Sequence, residues 1–243
     1  MRVYAKTDVG NRRRENQDNF RLETLNGAFL AVVCDGMGGE AAGGLASGTA
    51  INAFTGYVKE HYDASVKPGQ LLKNGVLEAN RSVYALSQTD PSLSGMGTTL
   101  VAVLVLSDRI YCVNVGDSRL YTFTDGTVSR ITRDHTYVRY LVDIGEMTLA
   151  EAEVSPERNI LTRAVGTSPT VKPDVYIIER ENDGETGLLL CSDGLHGEVS
   201  EDRMKKLVDL SDWNSVESSV NALISAANKN GGHDNITAVL MSV

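Results

Sequence analysis

The chain has 243 residues, of which 42% are hydrophobic and 23% charged, and a formal net charge of −9 at pH 7. This composition is typical of a globular protein with enough apolar residues for a full core. The acidic balance argues against a nucleic acid partner, because phosphate backbones are bound by Lys and Arg patches and the basic cluster here is the short run Arg12-Arg13-Arg14. No apolar stretch approaches the ~18 residues of a membrane span and no signal-peptide pattern is present, so we expect no membrane association.

The cysteines and histidines indicate a reducing compartment and disfavour zinc. Cys34, Cys112 and Cys191 each lie inside an apolar, strand-like run. Their odd number and the lack of a C-x-x-C spacing predict reduced structural thiols in a cytoplasmic chain. The four histidines show neither an H-E-x-x-H nor an H-x-H spacing, so we expect no zinc site.

The first part of the chain predicts strands joined by a hairpin and then helices. Asn26-Gly27 predicts a tight turn between two strands. Apolar patterns on both sides of this turn, and at the start of the chain, predict strands at residues 2–9, 19–25 and 28–34. Apolar residues at helical spacing then predict two helices, at residues 40–62 and 69–87.

The remainder of the chain predicts mainly strands, at residues 98–106, 109–115, 118–124, 127–132, 171–180, 186–192 and 236–243. An amphipathic helix is predicted at residues 214–229. Hairpin strands followed by helices predict an α+β fold rather than alternating βαβ units. We expect two antiparallel sheets packed face to face with helices outside. Turn signals are spread evenly without a linker, so we expect one domain over residues 1–243.

Acidic residues adjoin several of the predicted strands. Asp35 follows six apolar residues and precedes Gly36-Met37-Gly38-Gly39, where we expect the strand to end and the chain to turn sharply. Asp193 follows a second apolar run in the same way, and three more aspartates lie at predicted strand edges, at Asp18, Asp117 and Asp234. Converging carboxylates repel one another, so a pKa rises or a cation enters. Two Mg²⁺ or Mn²⁺ ions ~3.5–4 Å apart in such a site can activate water and bind a phosphoryl oxygen.

The same aspartates also have a structural interpretation. Asp-Gly is a common turn dipeptide and Asp caps helices well, so Asp35 could simply cap the helix that follows it. We interpret Asp125-Gly126 as only a hairpin turn. Spacing alone therefore leaves both a metal-dependent hydrolase and a set of structural aspartates open.

Eight motifs occur in order from near residue 10 to the end of the chain: R-R-E-N-Q-D (13–18), V-C-D-G-M-G-G (33–39), G-T-T-L (97–100), V-G-D-S-R-L-Y (115–121), T-R-D-H-T (132–136), L-T-R-A-V-G (161–166), C-S-D-G-L (191–195) and D-N-I-T (234–237). In this order they resemble the metal-dependent protein phosphatases of the 2C type, the PPM family. The compact length and the D-G-M-G-G wording resemble the bacterial branch. The resemblance implies a four-layer αββα sandwich that hydrolyses phosphoserine and phosphothreonine in proteins.

The resemblance also implies two Mn²⁺ or Mg²⁺ ions per site, bridged by the attacking water or hydroxide. Asp35 would bridge the two metals, and the Gly36 carbonyl would bind one of them. Asp193 and Asp234 would complete the shell of the other, and Asp18 would act mainly through metal-bound water.

Two more residues match family positions. Asp117 would hold, together with a carboxylate of the main site at Asp193, the third metal that bacterial members often bind. Arg13 matches the phosphate-binding arginine, and its planar fork suits two phosphoryl oxygens.

The sequence departs from the family's pattern at two places. Met37 stands where eukaryotic members carry a histidine, a candidate general acid, and Ser155-Pro156 stands where bacterial relatives often carry His-Pro. The general acid is therefore not identified. Residues 145–157 correspond to the family's mobile flap beside the active site. Their acidic sequence leads to the hypothesis that the flap disfavours acidic phosphopeptides, through Glu151 and Glu153.

Three functional hypotheses follow. The first is an active phosphatase that acts as a monomer on phosphorylated proteins, the substrates of serine/threonine kinases. The second is a pseudophosphatase that binds phosphoproteins without hydrolysing them, although degenerate relatives typically lose a metal aspartate and every expected position is filled here. The third is a switch phosphatase dedicated to one partner.

Overall fold

The computed structural model describes residues 1–39, 42–63, 65–180 and 186–243. The strands within these ranges are β1 (Arg2–Asp8), β2 (Asp18–Leu25), β3 (Ala28–Met37), β4 (Gly97–Thr98), β5 (Leu100–Val105), β6 (Arg109–Val115), β7 (Arg119–Thr124), β8 (Thr127–Arg130), β9 (Asp174–Glu179), β10 (Gly187–Cys191) and β11 (Ile236–Ser242). The helices are α1 (Ala42–His61), α2 (Pro68–Ser87), α3 (Tyr137–Asp143), α4 (Leu149–Val154), α5 (Asp193–His196), α6 (Glu201–Leu207) and α7 (Trp213–Lys229).

The strands form two antiparallel sheets. One sheet has the order β1-β11-β10-β7-β8, and the other has the order β2-β3-β5-β6-β9, with β4 paired to the end of β3. Helices α1 and α2 cover the outer face of the second sheet, and α7 covers the outer face of the first. The result is the four-layer αββα arrangement that the motifs implied. Among the helices of the described ranges, none has the length and apolar character needed to cross a bilayer.

Strand β10 shows why its sequence is apolar without alternation. Leu188 and Leu190 pack between the two sheets, whereas Leu189 and Cys191 pack toward α7. A strand that is buried on both faces has no solvent side on which polar residues would be favoured. The continuous apolar run that precedes Asp193 is therefore the signature of a central layer of the sandwich.

Strand β3 is longer than predicted, and the prediction that the chain turns at Gly36 is wrong. The strand continues to Met37, because Gly36 and Met37 pair with Thr98 and Gly97 of β4. The chain leaves the strand at Gly38, which has a φ of +128°. Pairing with a partner about sixty residues away decides this boundary, so the local sequence did not reveal it.

The strand predicted at residues 98–106 is divided into β4 and β5, and four short helices are a further difference from the predicted elements. Helices α3, α4, α5 and α6 were not predicted, and the predicted start of the first helix at residue 40 lies outside the described residues. One of them did carry a signal: Thr148 accepts a hydrogen bond from the backbone of Glu151, whose carboxylate binds back to Thr148. This is a capping box, which the spacing T-x-x-E indicates.

We expect Leu190→Ala to lower the free energy of unfolding by about 2–5 kcal/mol, because it opens a cavity between the sheets. The matched control is Leu77→Ala on α2, where the leucine is 41% exposed and the change should stay within about 0.5 kcal/mol. Urea unfolding of both variants measures the difference. Equal losses would contradict the placement of Leu190 in the central layer.

Candidate active site

Five aspartates from separate elements come together at one end of the sandwich. They are the acids that the sequence indicated: Asp18 at the start of β2, Asp35 in β3, Asp117 between β6 and β7, Asp193 at the start of α5 and Asp234 before β11. The antiparallel register places Asp18 directly opposite Asp35. Burial raises the pKa of Asp35 well above its usual range, and the charges of the other four aspartates raise it further. Asp35 is therefore the electrostatic centre of the cluster.

The carboxylate of Asp18 uses its two oxygens differently. Oδ2 accepts hydrogen bonds from Ser192 Oγ at 2.6 Å and Thr237 Oγ1 at 2.7 Å. Oδ1 is buried and finds no hydrogen-bond partner among the described residues. Burial raises the pKa of Asp18 to about 7, although the two hydroxyl hydrogen bonds act in the opposite direction. One oxygen is thus anchored and the other is left for a ligand.

The backbone of Asp35 is held from the neighbouring strand. Its N–H donates to Thr99 Oγ1 at 2.9 Å, and its C=O accepts from Thr99 N–H and Thr98 Oγ1, each at 2.8 Å. Thr99 Oγ1 also lies 2.7 Å from Ser118 Oγ, next to Asp117. These contacts connect the positions of two site aspartates through buried hydroxyls.

Gly36 allows helix α1 to approach the end of β3. A Cβ added at Gly36 would lie 2.1 Å from the carbonyl oxygen of Gly43, and one added at Gly43 would lie 2.8 Å from the carbonyl oxygen of Gly36. No side chain fits at such distances. The two glycines therefore bring the first turn of α1 against the backbone beside Asp35.

Two histidines hold the turn that carries Asp117. His196 Nε2 donates to the Asp117 carbonyl at 3.0 Å, while His135 Nδ1 accepts from Gly116 N–H at 3.1 Å and its Nε2 donates to Asp174 Oδ2 at 3.1 Å. Burial lowers the pKa of His196 to about 3. His196 is therefore neutral and fixes the turn without adding charge. The role of His196 was not recognised from the sequence.

A buried ion pair lies behind Asp117. Arg119 binds Asp134 through two hydrogen bonds, Nε to Oδ1 at 3.0 Å and Nη2 to Oδ2 at 2.7 Å. Burial, Asp193 and Asp134 raise the pKa of Asp117, and the charge of Arg119 acts in the opposite direction. Arg119 therefore mainly compensates its own partner Asp134, and the repulsion between Asp117 and Asp193 remains.

Arg13 reaches the same cluster from the loop between β1 and β2. Its Nη2 donates to Asp234 Oδ2 at 2.7 Å, and its side chain is 52% exposed. The hydrogen bond that Arg13 donates to Asp234 raises the pKa of Arg13. The guanidinium therefore lies at the solvent side of the acids, where an incoming anion would meet it.

Asn235 fastens the Arg13 loop, and the sequence did not reveal this role. Its Nδ2 donates to the carbonyl oxygens of Val9 and Glu15, each at 2.9 Å, and its Oδ1 accepts from Gln17 N–H at 2.8 Å. One buried amide thus binds both ends of the loop. The signal was its place beside Asp234 in the D-N-I-T motif.

The donor set suits a hard divalent cation. Among the described residues, Asp193 Oδ1 as well as Asp18 Oδ1 is buried without a hydrogen-bond partner, and carboxylate oxygens are the ligands that Mg²⁺ and Mn²⁺ prefer. In the described ranges, however, no three side chains of Asp, Glu, His or Cys close around a single ion position. One of the acids, Asp234, is bound to Arg13 instead. The unpartnered oxygens and the shared repulsion fit bound cations.

The comparisons with known proteins agree with this fold. The sequence profile of the protein phosphatase 2C family matches residues 11–241. The chain is 37% identical to the serine/threonine protein phosphatase PstP of Mycobacterium tuberculosis, with 100% of this chain and 45% of that protein covered. It is 34% identical to the serine/threonine phosphatase stp of Listeria welshimeri, with 99% of this chain and 95% of that protein covered.

A solved structure matches as well. The catalytic domain of the serine/threonine protein phosphatase PstP in complex with two manganese ions superposes with a TM-score of 0.84 at 33% identity, covering 98% of this chain and 96% of that one. The chain belongs to the protein phosphatase 2C family. The predicted family and the predicted α+β sandwich are both confirmed. The chain spans about half the length of PstP and nearly all of the Listeria protein.

We expect Asn235→Ala to release the Arg13 loop and speed tryptic cleavage after Arg12, Arg13 or Arg14 roughly tenfold or more. Three hydrogen bonds are lost, each worth about 1 kcal/mol, and cleavage follows the population of the opened loop. Mass spectrometry of the N-terminal fragment measures the rate. Asn221→Ala is the matched control, since that amide accepts a hydrogen bond from Lys6 and lies on α7. An unchanged rate in Asn235→Ala would show that the loop is held by other contacts.

Proposed function

We propose that this chain is a metal-dependent protein phosphatase that hydrolyses phosphoserine and phosphothreonine in proteins. The observation that carries the proposal is the gathering of five aspartates, two of which have buried oxygens without a described partner, in a member of the protein phosphatase 2C family. The relatives from Mycobacterium and Listeria bear the name serine/threonine phosphatase, and one solved relative holds two manganese ions. Two Mn²⁺ or Mg²⁺ ions would supply positive charge that acidifies water and neutralises phosphoryl oxygens.

The chain's own residues divide into ligands and supports. We assign the two ions to Asp35, the Gly36 carbonyl, Asp193 and Asp234, with Asp18 in reach through its buried Oδ1. A third ion would use Asp117 together with Asp193, which raises the pKa of Asp117 by its charge.

Arg13 is the residue that we assign to substrate binding. Its guanidinium is half exposed at the edge of the acids, and it is hydrogen bonded to Asp234. A phosphate dianion offers the same kind of oxygen acceptor as that carboxylate, so Arg13 can exchange one partner for the other or bridge both. This orients the phosphoryl group toward the aspartate cluster.

The proton for the leaving alkoxide does not come from the buried histidines. The ring nitrogens of His135 bind Gly116 N–H and Asp174, and His196 Nε2 binds a main-chain carbonyl. Met37 carries no titratable proton. The donor is therefore not a side chain of the kind that eukaryotic members place after the D-G pair.

We propose that the chain acts as one domain over residues 1–243 and as a monomer, on phosphoproteins in the cytoplasm. Residues 145–157, which include α4, form the flap in this proposal. A pseudophosphatase that only binds phosphoproteins is not favoured, since every acid of the proposed site is in place and the named relatives are phosphatases. A switch phosphatase dedicated to one partner would act on that partner alone, so activity on several unrelated phosphoproteins would exclude it.

We expect Mn²⁺-dependent hydrolysis of p-nitrophenyl phosphate and phosphopeptides that is lost on chelation with EDTA. Asp193→Ala should remove nearly all activity, while Arg13→Ala should raise KM more than it lowers kcat, because the arginine binds the phosphate in the ground state as well. Steady-state kinetics with a phosphopeptide panel measure both. Wild-type turnover in Asp193→Ala would overturn the metal assignment, and metal-independent activity would overturn the proposed function.

We expect charge reversal on the flap to change substrate preference. Glu151 is a poor choice for this test because its carboxylate caps α4 through Thr148, so we use the exposed Glu153 instead. Glu153→Lys should raise kcat/KM for acidic relative to basic phosphopeptides roughly two- to fivefold at low salt, as expected for removal of a surface repulsion.

The control for this test is Glu60→Lys, near the C-terminal end of α1. A rise of 1.5 Å per residue places Glu60 about 25 Å along the helix from Gly43 beside the site. That distance exceeds the screening length of physiological salt. The kcat/KM for acidic relative to basic phosphopeptides should therefore not change in Glu60→Lys. An unchanged ratio in Glu153→Lys, or an equal shift in Glu60→Lys, would contradict the flap hypothesis.

A further inference from the structure

A closed circuit of hydrogen bonds begins and ends at Asp18. The Asp18 N–H donates to Asn16 Oδ1 at 3.1 Å, and Asn16 Nδ2 donates to Thr7 Oγ1 at 2.8 Å. Thr7 Oγ1 lies 2.7 Å from Thr237 Oγ1, which donates to Asp18 Oδ2 at 2.7 Å. Ser192 Oγ donates to the same oxygen at 2.6 Å. We call these four residues, Thr7, Asn16, Ser192 and Thr237, the Asp18 circuit.

The direction of every bond in the circuit is determined. Because the Asp18 N–H can only donate, Asn16 must present its Oδ1 to it and therefore its Nδ2 to Thr7. At the other end of the circuit, the Asp18 carboxylate oxygen can only accept, so Thr237 donates to it. Since a hydroxyl has one proton to donate, Thr237 in turn accepts the proton of Thr7.

The second donor is oriented in the same way. Ser192 Oγ accepts from the backbone N–H of Thr237 at 3.0 Å, and its proton has the shorter contact with Asp18 Oδ2, at 2.6 Å against 3.4 Å to the Asn235 carbonyl. Both hydroxyls therefore act on one oxygen, and both point their protons at it. The other oxygen, Oδ1, is buried without a hydrogen-bond partner among the described residues.

We propose that Thr237 and Ser192, oriented by Thr7 and Asn16, are positioning residues that anchor Asp18 Oδ2 and present Oδ1 to a divalent cation or its water. The proposal rests on the proposed function, since it gives Asp18 a ligand to face. The circuit spans four separated parts of the chain: the end of β1, the entry to β2, the residue after β10 and the start of β11. A carboxylate anchored through one oxygen cannot rotate without breaking two buried hydrogen bonds, so the ligand meets a preformed geometry.

A merely structural role would have a different signature. Thr7 and Thr237 face each other across the β1–β11 pair, where the threonine hydroxyls could serve only to satisfy one another. In that case, loss of the Thr237 hydroxyl would lower stability and leave cation binding unchanged. Valine keeps the β-branched shape of threonine and its strand preference, which makes it the suitable replacement.

The experiment is calorimetric titration of the metal-stripped full chain with Mn²⁺. Thr237→Val should weaken Mn²⁺ binding about tenfold or more, in the range found for outer-shell partners of metal ligands, and Thr237→Ser should restore it. Thr7→Val should weaken binding less, since Thr7 acts through Thr237. Thermal unfolding without metal is recorded for each variant, so that affinity and stability are separated.

The matched control is Thr122→Val on β7. Thr122 is buried in the same sheet as Thr237, and its hydroxyl faces Ser129 O at 3.4 Å, away from the circuit. Mn²⁺ affinity should stay within twofold of wild type in this variant. An equal loss in Thr122→Val, or wild-type affinity in Thr237→Val, would overturn the proposal.

A second variant keeps the test decisive if Thr237→Val does not fold. Ser192→Ala removes the other donor, and Ser192 makes no capping hydrogen bond to helix α5, so the helix does not depend on its hydroxyl. It should weaken Mn²⁺ binding by a similar factor. If wild type itself binds no Mn²⁺, the proposed function fails; if wild type binds and both donors are dispensable, the positioning inference alone fails.

Discussion

Mutual repulsion among five carboxylates is the constraint on which the rest of the structure depends. Burial at the end of the sandwich raises the pKa of Asp18, Asp35 and Asp193, and the charge of at least one neighbouring aspartate raises each of them further. The protein offsets part of the repulsion with Arg13, which binds Asp234 at the solvent side. The charge of Arg119 near Asp117 is compensated by Asp134, with which it is paired. A pair of divalent cations would neutralise the repulsion among the carboxylates that remains.

Different residues hold the sheets together and position the acids. Apolar side chains fill the layer between the sheets and the two layers beneath the helices, and they place the strand ends at a common edge. Polar contacts then set each acid individually: hydroxyls at Asp18 and Asp35, neutral imidazoles at the Asp117 turn, and one amide at the Arg13 loop. Neutral groups suit this purpose because they fix geometry without changing the charge that a cation would meet.

In the proposed function, Arg13 and Asp234 would connect substrate binding to the acid cluster. Their hydrogen bond of 2.7 Å joins the residue that we assign to phosphate binding to one of the proposed metal ligands. A phosphate that engages Arg13 competes for the same donor, and a cation that engages Asp234 competes for the same acceptor. Under this assignment the two binding events would favour each other, since either one releases the partner that the other requires.

The sequence by itself determined the elements with strong local patterns and the identity of the acids. Periodicity and turn chemistry act over a few residues, so local sequence was enough to predict three elements. They are the hairpin at Asn26-Gly27, the apolar strand β10 and the amphipathic helix α7. The five aspartates followed from ordered motifs. Only the tertiary structure decided that β3 continues to Met37, that Asn235 fastens the Arg13 loop, and which oxygen of Asp18 is anchored. Those features depend on partners from roughly 60 to more than 200 residues away in the chain, and no local pattern carries the geometry of such contacts.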